Sequence, residues 1–493
     1  MTRLNHAVLI TLAATLLAAP AAGAAPALTA DTLDDSRALA TRWLDNLAAL
    51  RALPALAVTV VIRGEPVYTH ATGAADREER TPTTVDTPFY AGSLSKLVTT
   101  IAILQLVDAG RLALGDPLAK HLPELHLGAD GRAAAAITLE DLLLHRSGLP
   151  REGATPYWMT YDFPAWRALA TSLDRQPLDF AEGTQTAYSN VGMALLGRVV
   201  ERVSGEPYAD YVARHVLGPL RMADSTARFG VGPAARVAAA WSARSSHVAT
   251  NGGRFPRGAG DPRAFAPAFG LVSTARDLGR LIAFFQRPDA TPGVLSESGV
   301  AQMLRPRAPP SPGPELRALG FDADSLNGRA AASHGGWFTG HKSFVILDLP
   351  DEIGVVVLGS ADDTPAKDIA ERLALLFAEA PLVARREPHP DDPAPACLRG
   401  LVGAYGSGWI PDREIVLLSD GLYQYEPASD PRSPVRYGLR ALVPAGPDAF
   451  RAGTADGQLL RFERGPGGVG RRILLDRGLT WLDRYPEPAP PGP

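Results

Sequence analysis

Two pairs of β-prone runs stand far apart in this chain, and they restrict the fold more than any other feature. The first pair covers residues 56–62 and 66–72, with Gly64 in the short polar break between them. The second pair covers residues 343–349 and 353–358. A glycine-containing polar break between two apolar runs is typical of a β-hairpin. Two distant hairpins predict one antiparallel sheet that is built from both ends of a domain.

Helical patterns stand beside both hairpins. Apolar residues recur at helical spacing over residues 32–50 and again over 364–378, and the segment between the hairpins, about 90–340, is mainly helical in pattern. The predicted fold class is therefore mixed α/β, of the α+β type. An antiparallel sheet is flanked by helices, and a helical lobe lies beside it.

The pattern changes after residue 380. Residues 381–396 are rich in proline and are predicted to be a linker. Beyond them, short β-prone runs alternate with tight-turn sequences such as Ser419-Asp420-Gly421, which predicts a small all-β domain over 397–486. The last residues, 487–493, are almost all proline and glycine and are predicted to be disordered.

The N-terminal residues resemble a secretory signal peptide. Arg3 precedes an apolar stretch over residues 7–19, and Ala22-Gly23-Ala24 offers a cleavage site. The stretch is shorter than the ~20 residues that cross a bilayer. We therefore expect residues 1–24 to be removed, and the mature protein to be periplasmic or secreted without a transmembrane segment.

The composition excludes several classes of function. The 49 basic and 53 acidic residues give a net charge of −4, which offers no broad positive field for nucleic acid. The single cysteine, Cys397, excludes an intrachain disulfide and a cysteine-rich metal site, and we interpret it as a small core residue. No His-Glu-x-x-His motif is present, which argues against a metallohydrolase.

The most informative local motif is Ser93-Leu94-Ser95-Lys96, which opens a long apolar helical run. Residues three positions apart lie on one face of a helix, so Lys96 is predicted to lie beside Ser93. A serine hydroxyl needs a neighbouring base to act as a nucleophile. A helix start also offers N–H groups to a developing oxyanion. The motif alone arises by chance often enough to be weak.

Two further motifs strengthen this interpretation. In Tyr188-Ser189-Asn190, a phenol becomes a general base only where cations stabilise its phenolate, and Lys96 is such a cation. Asn190 is suited to hold the Lys96 ammonium or a substrate amide. In His334-Gly335-Gly336-Trp337, paired glycines let a strand edge approach a substrate. The Trp337 N–H is then expected to pair with the Ser93 N–H as an oxyanion hole.

The three motifs, in this order and wide spacing, resemble those of the penicillin-recognising serine hydrolases. The similarity is greatest to the group related to class C β-lactamases, with its esterases and D-amino-acid peptidases. Segments 138–150 and 270–278 agree, and the resemblance covers roughly residues 35–380 within a predicted domain of residues 31–380. It implies a two-lobed fold, an acyl-serine intermediate and no cofactor. The C-terminal domain resembles the lipocalin-like β-domain appended to such hydrolases, and would cover the site or bind a partner.

The resemblance also implies roles for individual residues. Ser93 would be the nucleophile, Lys96 its activator and Tyr188 the general base that later returns the proton. Substrate-binding positions would be Asn190, His334, Gly335, Gly336 and Trp337. The bulk of Trp337 is expected to narrow the acyl pocket, and His334 replaces the lysine of class C lactamases, which argues against antibiotic hydrolysis as the main activity. Whether Lys96 or Tyr188 removes the proton stays open.

Several readings of the function remain. A different serine-hydrolase fold would need Gly-x-Ser-x-Gly, which this chain lacks. An exported enzyme that cleaves a small ester, amide, D-amino-acid peptide or β-lactam is favoured over a penicillin-binding-like sensor that acylates slowly or not at all. Selection among substrates is assigned to loops 150–187 and 225–265. The sequence does not indicate the oligomeric state.

Overall fold

The computed structural model describes residues 30–78, 80–153, 157–245, 253–310, 316–350, 352–379, 395–407, 410–418, 421–425, 440–453, 457–475 and 480–484. The predicted signal peptide, the predicted tail and most of the predicted linker lie outside these residues. Those three assignments stay predictions.

One large antiparallel sheet organises the first part of the chain. Its strands and those of a small two-stranded sheet are β1 (Ala55–Ile62), β2 (Glu65–Gly73), β3 (Phe89–Gly92), β4 (Leu271–Ser273), β5 (Leu316–Arg317), β6 (Asp322–Leu326), β7 (Arg329–Phe338), β8 (His341–Asp348) and β9 (Ile353–Gly359). The spatial order of the large sheet is β2-β1-β9-β8-β7-β6-β5, and β3 pairs with β4 separately.

The prediction of a sheet built from both ends of the domain is confirmed. Strand β1 pairs with its hairpin partner β2 on one side and with the distant β9 on the other, both antiparallel. Every residue of β1 and of β9 is buried. This agrees with their nearly continuous apolar sequences, because a central strand that is covered on both faces has no solvent side.

Helices cover both faces of the sheet and form the second lobe. The α-helices of the described residues are α1 (Ala30–Arg51), α2 (Ser95–Asp108), α3 (Leu118–His121), α4 (Leu139–Leu143), α5 (Tyr157–Thr160), α6 (Trp166–Ser172), α7 (Asn190–Ser204), α8 (Tyr208–Val212), α9 (Ala266–Phe269), α10 (Ala275–Gln286), α11 (Glu297–Leu304), α12 (Ala366–Glu379) and α13 (Pro395–Leu398).

Two apolar cores hold these layers together. Helices α1 and α12 pack on one face of the sheet, where Leu44, Leu373 and Val357 belong to one buried apolar cluster. Helix α10 covers the other face and joins the helical lobe. Its approach is close, because a Cβ on Gly279 would lie 2.8 Å from the side chain of Thr59. The small residue there lets helix and strand pack in direct contact.

The sheet extends further into the chain than the sequence indicated. Strands β5, β6 and β7 fall within the region assigned to the helical lobe, and His334–Trp337 lie inside β7 rather than before a strand. The run Ala330-Ala331-Ala332 and the glycine pair have low β propensity. Pairing of β7 with β8 over residues 331–338 and with β6 over residues 329–333 overrides that weak local preference.

The C-terminal part forms a closed eight-stranded antiparallel barrel. Its strands in order are β10 (Gly403–Ser407), β11 (Ile410–Leu418), β12 (Gly421–Tyr425), β13 (Arg440–Gly446), β14 (Ala449–Ala452), β15 (Leu459–Arg464), β16 (Gly470–Leu475) and β17 (Thr480–Arg484). The all-β prediction is therefore confirmed. Within its apolar core, the Phe462 ring packs edge-on against the rings of Tyr405 and Phe450.

The barrel contacts the first helix. Glu414 on β11 is almost fully buried, lies 3.3 Å from Arg42 Nη1 and accepts a hydrogen bond from Asn46 Nδ2. Burial raises the pKa of Glu414, and Arg42 partly opposes that shift. Cys397, interpreted above as a core residue, is exposed, because it lies in a short helix before the barrel begins. In the part of the chain described here, no helix is both long and apolar enough to cross a bilayer.

Candidate active site

A cavity of about 950 Å³ opens between the helical lobe and the edge of β7. The predicted site residues that line it are Ser93, Tyr188, Asn190, His334, Gly335, Gly336 and Trp337. The remaining one, Lys96, is buried directly behind Ser93. The structure therefore brings together all eight residues singled out from the sequence. No described residue of the barrel lines the cavity.

Ser93 is placed at the start of α2, where the chain turns out of β3. Residues 87–104 are all buried except Ser93, which is partly exposed. The neighbouring Ser95 has a structural task, since its hydroxyl donates to Gly92 O at 2.7 Å and accepts from Leu271 N at 2.8 Å. The local fold thus uses one serine to hold the turn and presents the other to the cavity.

Lys96 is held by three hydrogen-bond partners. Its Nζ lies 3.2 Å from Ser93 Oγ, 2.8 Å from Asn190 Oδ1 and 2.7 Å from Ala268 O. Burial lowers the pKa of Lys96 well below its usual range, and the carboxylate of Glu152 opposes this shift. A lysine with a lowered pKa has a larger fraction of neutral amine at neutral pH, which is the form that can accept a proton.

Tyr188 reaches Ser93 from the start of α7. Ser189 caps this helix by accepting from Gly192 N at 3.0 Å, and its hydroxyl donates to Pro150 O at 2.8 Å. The cap fixes the backbone beside Tyr188, whose OH donates to Ser93 Oγ at 2.8 Å. The Ser93 hydroxyl oxygen therefore lies within hydrogen-bond distance of both an amine and a phenol.

The electrostatic surroundings of Tyr188 differ from the sequence expectation. Cations do surround its ring, with Lys96 Nζ at 4.7 Å, Arg151 at 5.3 Å and Arg317 at 5.8 Å from the centroid. Burial nevertheless dominates and raises the pKa of Tyr188 to about 12. The phenol is therefore protonated at neutral pH. In this resting state it is a proton donor, not a phenolate base.

His145 acts as a support for the tyrosine. Its ring packs against the Tyr188 ring with centroids 4.5 Å apart, and its Nδ1 accepts a hydrogen bond from Ser189 N at 3.1 Å. Burial lowers the pKa of His145 well below its usual range, so the ring is neutral. This side chain fixes the position of Tyr188 from behind.

The backbone of β7 passes close to Ser93. A Cβ on Gly336 would lie 2.2 Å from Ala91 O and 3.2 Å from Ser93 N, and one on Gly92 would lie 2.6 Å from Trp337 N. Gly92 also has φ +55°, which favours glycine. The two N–H groups expected to form an oxyanion hole, those of Ser93 and Trp337, therefore lie on adjoining segments of backbone.

Replacing Gly336 with alanine tests this close approach of β7 to Ser93. We expect Gly336→Ala to lower the melting temperature clearly, because its Cβ would meet Ser343 Oγ at 2.1 Å as well as Ala91 O. Gly335→Ala is the matched control, since a Cβ there meets only the Phe344 ring at 3.3 Å. Thermal unfolding of both variants measures the difference. Equal melting temperatures would contradict the packing described here.

His334 is a neutral, buried imidazole at the cavity wall. Burial lowers its pKa to about 3, helped by the charges of Lys96 and Arg317. Its Nδ1 is buried and has no hydrogen-bond partner among the described residues. His334 stands where class C lactamases have a lysine, and its side chain therefore carries no charge at neutral pH.

Aromatic rings form the other wall. The Trp158 ring lies 5.2 Å from that of Trp337 and 4.9 Å from that of Phe269, measured between centroids. The Trp337 indole is fixed from behind, because its Nε1 donates to Asp362 Oδ1 at 2.6 Å. These flat apolar surfaces are suited to contact an apolar acyl or alcohol group.

Several residues of the site were not found from the sequence. Arg151 and Glu152 follow the 138–150 segment, and Glu152 accepts a hydrogen bond of 2.6 Å from Asn190 Nδ2. Arg317 and Asp322 arrive on strands that the sequence did not reveal. Within loop 150–187, Arg151 and Trp158 line the cavity, whereas no described residue of 225–265 does. Trp241 in this segment instead forms an isolated β-bridge with Ala361, which follows the end of β9.

A metal centre is not indicated by the described side chains. Nowhere among them do three or more His, Cys, Asp or Glu residues come together in a way that could hold an ion. The groups that face Ser93 are an amine, a phenol, an amide and backbone N–H groups. This set can transfer protons and stabilise an oxyanion.

The fold and this set of side chains define the class of penicillin-recognising serine hydrolases. The chain belongs to the Beta-lactamase family, whose model matches residues 40–379. The match covers both hairpins of the sheet and all three sequence motifs. The resemblance stated from those motifs is thereby confirmed.

Individual proteins are similar to this chain over part of their length. Esterase EstB of Burkholderia gladioli is 34% identical over 218 residues, which cover 40% of this chain and 55% of that protein. Protein flp of Staphylococcus aureus (strain MW2) is 23% identical over 329 residues, 65% of this chain and 62% of that protein. Beta-lactamase-like protein 2 of Dictyostelium discoideum is 25% identical over 305 residues, which cover 60% of this chain and 54% of that protein. The chain thus spans between about half and two thirds of the length of these relatives.

Solved structures agree with the overall fold. The octameric penicillin-binding protein homologue from Pyrococcus abyssi superposes with a TM-score of 0.58 at 21% identity, over 90% of this chain and 98% of that one. SurE superposes with a TM-score of 0.58 at 24% identity, over 92% of this chain and all of that one. At such identities the likeness shows the fold alone.

Proposed function

We propose that this protein is an exported serine hydrolase that cleaves an ester or amide through an acyl intermediate on Ser93. One observation carries the proposal. Ser93 is the partly exposed residue of an otherwise buried turn, and its Oγ lies 3.2 Å from Lys96 Nζ and 2.8 Å from Tyr188 OH. Such distances permit proton transfer in either direction during acyl transfer.

The acylation step follows from these contacts. As a neutral amine, Lys96 accepts the Ser93 proton while Ser93 Oγ forms a bond to the substrate carbonyl carbon. The carbonyl electrons move onto oxygen, where the N–H groups of Ser93 and Trp337 stabilise the charge. When the tetrahedral intermediate collapses, the bond to the leaving group breaks and the phenol of Tyr188 protonates that group. The Lys96 ammonium then returns a proton to Tyr188.

Deacylation reverses the same path with water as the nucleophile. Water loses a proton to the Lys96 amine as its oxygen bonds to the acyl carbon, and Ser93 Oγ leaves and is protonated by Tyr188. The Lys96 ammonium then returns a proton to Tyr188, which restores both groups. The lowered pKa of Lys96 and the raised pKa of Tyr188 support this division of labour. It assigns proton abstraction to Lys96 and not to a tyrosinate.

Esters are the favoured substrate class. His334 is neutral, so the site lacks the fixed cation that class C lactamases place at this position. The walls formed by Trp158, Trp337 and Phe269 suit an apolar group. The relative named as an esterase supports the same choice. Hydrolysis of p-nitrophenyl butyrate, a D-amino-acid amide and nitrocefin by the purified protein tests it, and a preference for nitrocefin would contradict it.

Removing the phenol tests the proton relay. We expect Tyr188→Phe to lower kcat for p-nitrophenyl butyrate by ~10²-fold or more, the usual cost of losing an acid–base group. Tyr211→Phe is the matched control, because that phenol lies on α8 and does not line the cavity. A rate for Tyr188→Phe equal to that of the control would assign all proton transfer to Lys96.

A penicillin-binding-like sensor is the second candidate. Such a sensor would form the same acyl-serine intermediate as the enzyme. It would differ from the enzyme only in releasing the acyl group slowly or not at all. A fluorescent phosphonate labels Ser93 in both cases, so steady-state release of nitrophenol decides between them. Many turnovers per molecule support the enzyme, and one molar equivalent of product with a persistent adduct supports the sensor.

Export is part of the proposal and depends on the N-terminal sequence. Arg3, the apolar stretch over residues 7–19 and Ala22-Gly23-Ala24 support it. N-terminal sequencing of the protein recovered from the periplasm or medium of a bacterial host is the test. We expect the mature chain to begin after Ala24, and retention of the full-length chain in the cytoplasm would contradict the proposal.

A further inference from the structure

Glu152 is linked to Lys96 through one side-chain amide. Glu152 Oε1 accepts a 2.6 Å hydrogen bond from Asn190 Nδ2, and Asn190 Oδ1 accepts a 2.8 Å hydrogen bond from Lys96 Nζ. The amide of Asn190 is therefore fixed at both ends, because its donor faces a carboxylate and its acceptor faces the lysine. A flip of the amide would place two acceptors, and two donors, against each other.

The same carboxylate contributes charge to a buried site. The Glu152 side chain is 15% exposed, and its Oε2 is buried without a hydrogen-bond partner among the described residues. It does not line the cavity, so it is not placed to contact substrate directly. Any influence it has on the reaction must therefore pass through its partners Asn190 and Arg151 or through its electric field at Lys96.

The other groups around Lys96 are identified. Arg151 is 68% exposed and lies 3.2 Å from Glu152, while Arg317 forms an ion pair with Asp322 at 2.5 Å. The phenol of Tyr188 and the imidazoles of His145 and His334 face the site in their neutral forms. At Lys96, the charges of Arg151 and Arg317 lower the pKa further, whereas Asp322 raises it less than Glu152 does. Glu152 is thus the main negative charge that opposes the burial of Lys96.

We propose that Glu152 is a positioning residue that orients Asn190 and sets the protonation of Lys96 through its negative charge. The proposal rests on the proposed function, since it concerns the proton acceptor of acyl transfer. Its role is distinct from those of Ser93, Lys96 and Tyr188. Those side chains exchange protons or bonds with the substrate, whereas Glu152 acts through its neighbours.

The direction of the effect follows from the charges. A carboxylate stabilises the ammonium form of Lys96, so its removal must lower the pKa of Lys96 further. Whichever limb of the pH–rate profile reports Lys96 must then move to lower pH. If Glu152 only stabilised the structure, its replacement would lower the rate at every pH and would not change the pH at which that limb occurs.

The test is the pH profile of kcat/KM for p-nitrophenyl butyrate in the full-length protein. We expect Glu152→Gln to shift the Lys96 limb down by about one pH unit, the usual scale for a nearby opposite charge. Glu152→Asp keeps the charge and should leave the limb within a few tenths of a unit of wild type. Glu124→Gln is the control, because it removes a carboxylate from a surface pair with Arg202.

The outcomes separate this proposal from the proposed function. Loss of hydrolysis in Ser93→Ala together with an unshifted limb in Glu152→Gln would overturn the role of Glu152 alone. Full hydrolysis in Ser93→Ala would overturn the proposed function itself. An equal shift in Glu124→Gln would show a general charge effect and overturn the specific role. If Glu152→Gln does not fold, Glu152→Ala carries the same expected shift and the same contradiction.

Discussion

Replacing Ser93 with alanine is expected to lower kcat/KM for p-nitrophenyl butyrate by at least ~10³-fold, because Ser93 carries the hydroxyl that lies within hydrogen-bond distance of both Lys96 and Tyr188. The fold should persist. The Ser93 side chain is partly exposed, and the turn before α2 is held by Ser95. The expected variant therefore has a wild-type circular dichroism spectrum and melting temperature with almost no hydrolysis.

The matched control for this change is Ser172→Ala. Its hydroxyl donates to Leu169 O within α6, so the same atom is removed at a position that does not line the cavity. We expect the control to hydrolyse at the wild-type rate. Retention of more than a few per cent of activity in Ser93→Ala would contradict the assignment of the nucleophile.

Replacing Lys96 with alanine should be nearly as severe. The change removes the base next to Ser93 Oγ and leaves Asn190 Oδ1 and Ala268 O buried without their donor. Lost general-base catalysis alone costs about 10²–10⁴-fold. Two unsatisfied buried acceptors add a loss of stability of about 1–3 kcal/mol each. We therefore expect hydrolysis to be almost abolished and the melting temperature to fall.

Lys120→Ala is the control for Lys96→Ala. It shows whether losing any lysine lowers hydrolysis, or only the lysine beside Ser93. Lys120 is more than half exposed, forms an ion pair with Asp116 and does not line the cavity. We expect this control to retain wild-type kcat/KM and almost the same melting temperature. Activity of Lys96→Ala close to that of Lys120→Ala would show that Ser93 needs no amine beside it.

The sequence predicted the parts of the fold that have strong local patterns. The apolar runs of β1 and β9 are continuous because both strands are central and covered on both faces, so their identity as strands was clear. Strands β5 and β6 carry polar residues such as Asp322 and Asp324, and β7 is rich in alanine and glycine. Their strand structure comes from successive hairpin pairing of β5 with β6, β6 with β7 and β7 with β8, which the weak β propensity of these residues does not indicate.

The candidate site was predictable to the extent that its chemistry lies in short motifs. Ser93 and Lys96 are one helical turn apart, and the proximity of Tyr188 followed from the resemblance. Glu152 could not be found in this way, because its importance depends on a loop folding back onto Asn190. The protonation state of Tyr188 could not be predicted from the sequence either. The sequence shows the nearby cations, but it does not show the burial whose effect on the pKa outweighs theirs.

The C-terminal barrel illustrates a third limit. Its alternating short runs predicted an all-β domain, yet they did not indicate where it would attach. The attachment involves one buried carboxylate, Glu414, and its contacts with Arg42 and Asn46 on α1. A single buried charge within a strand has no recognisable pattern. Of the two roles left open for the barrel, covering the site receives no support from its described residues.

The central claim is that Ser93 carries the acyl group during turnover. Acid quenching of the wild-type protein during hydrolysis of p-nitrophenyl butyrate, followed by peptide mass spectrometry, tests it directly. We expect one butyryl group on the peptide that contains Ser93, and none on that peptide in Ser93→Ala. A butyryl group on another residue, or steady hydrolysis by a Ser93→Ala protein that forms no adduct, would contradict the account.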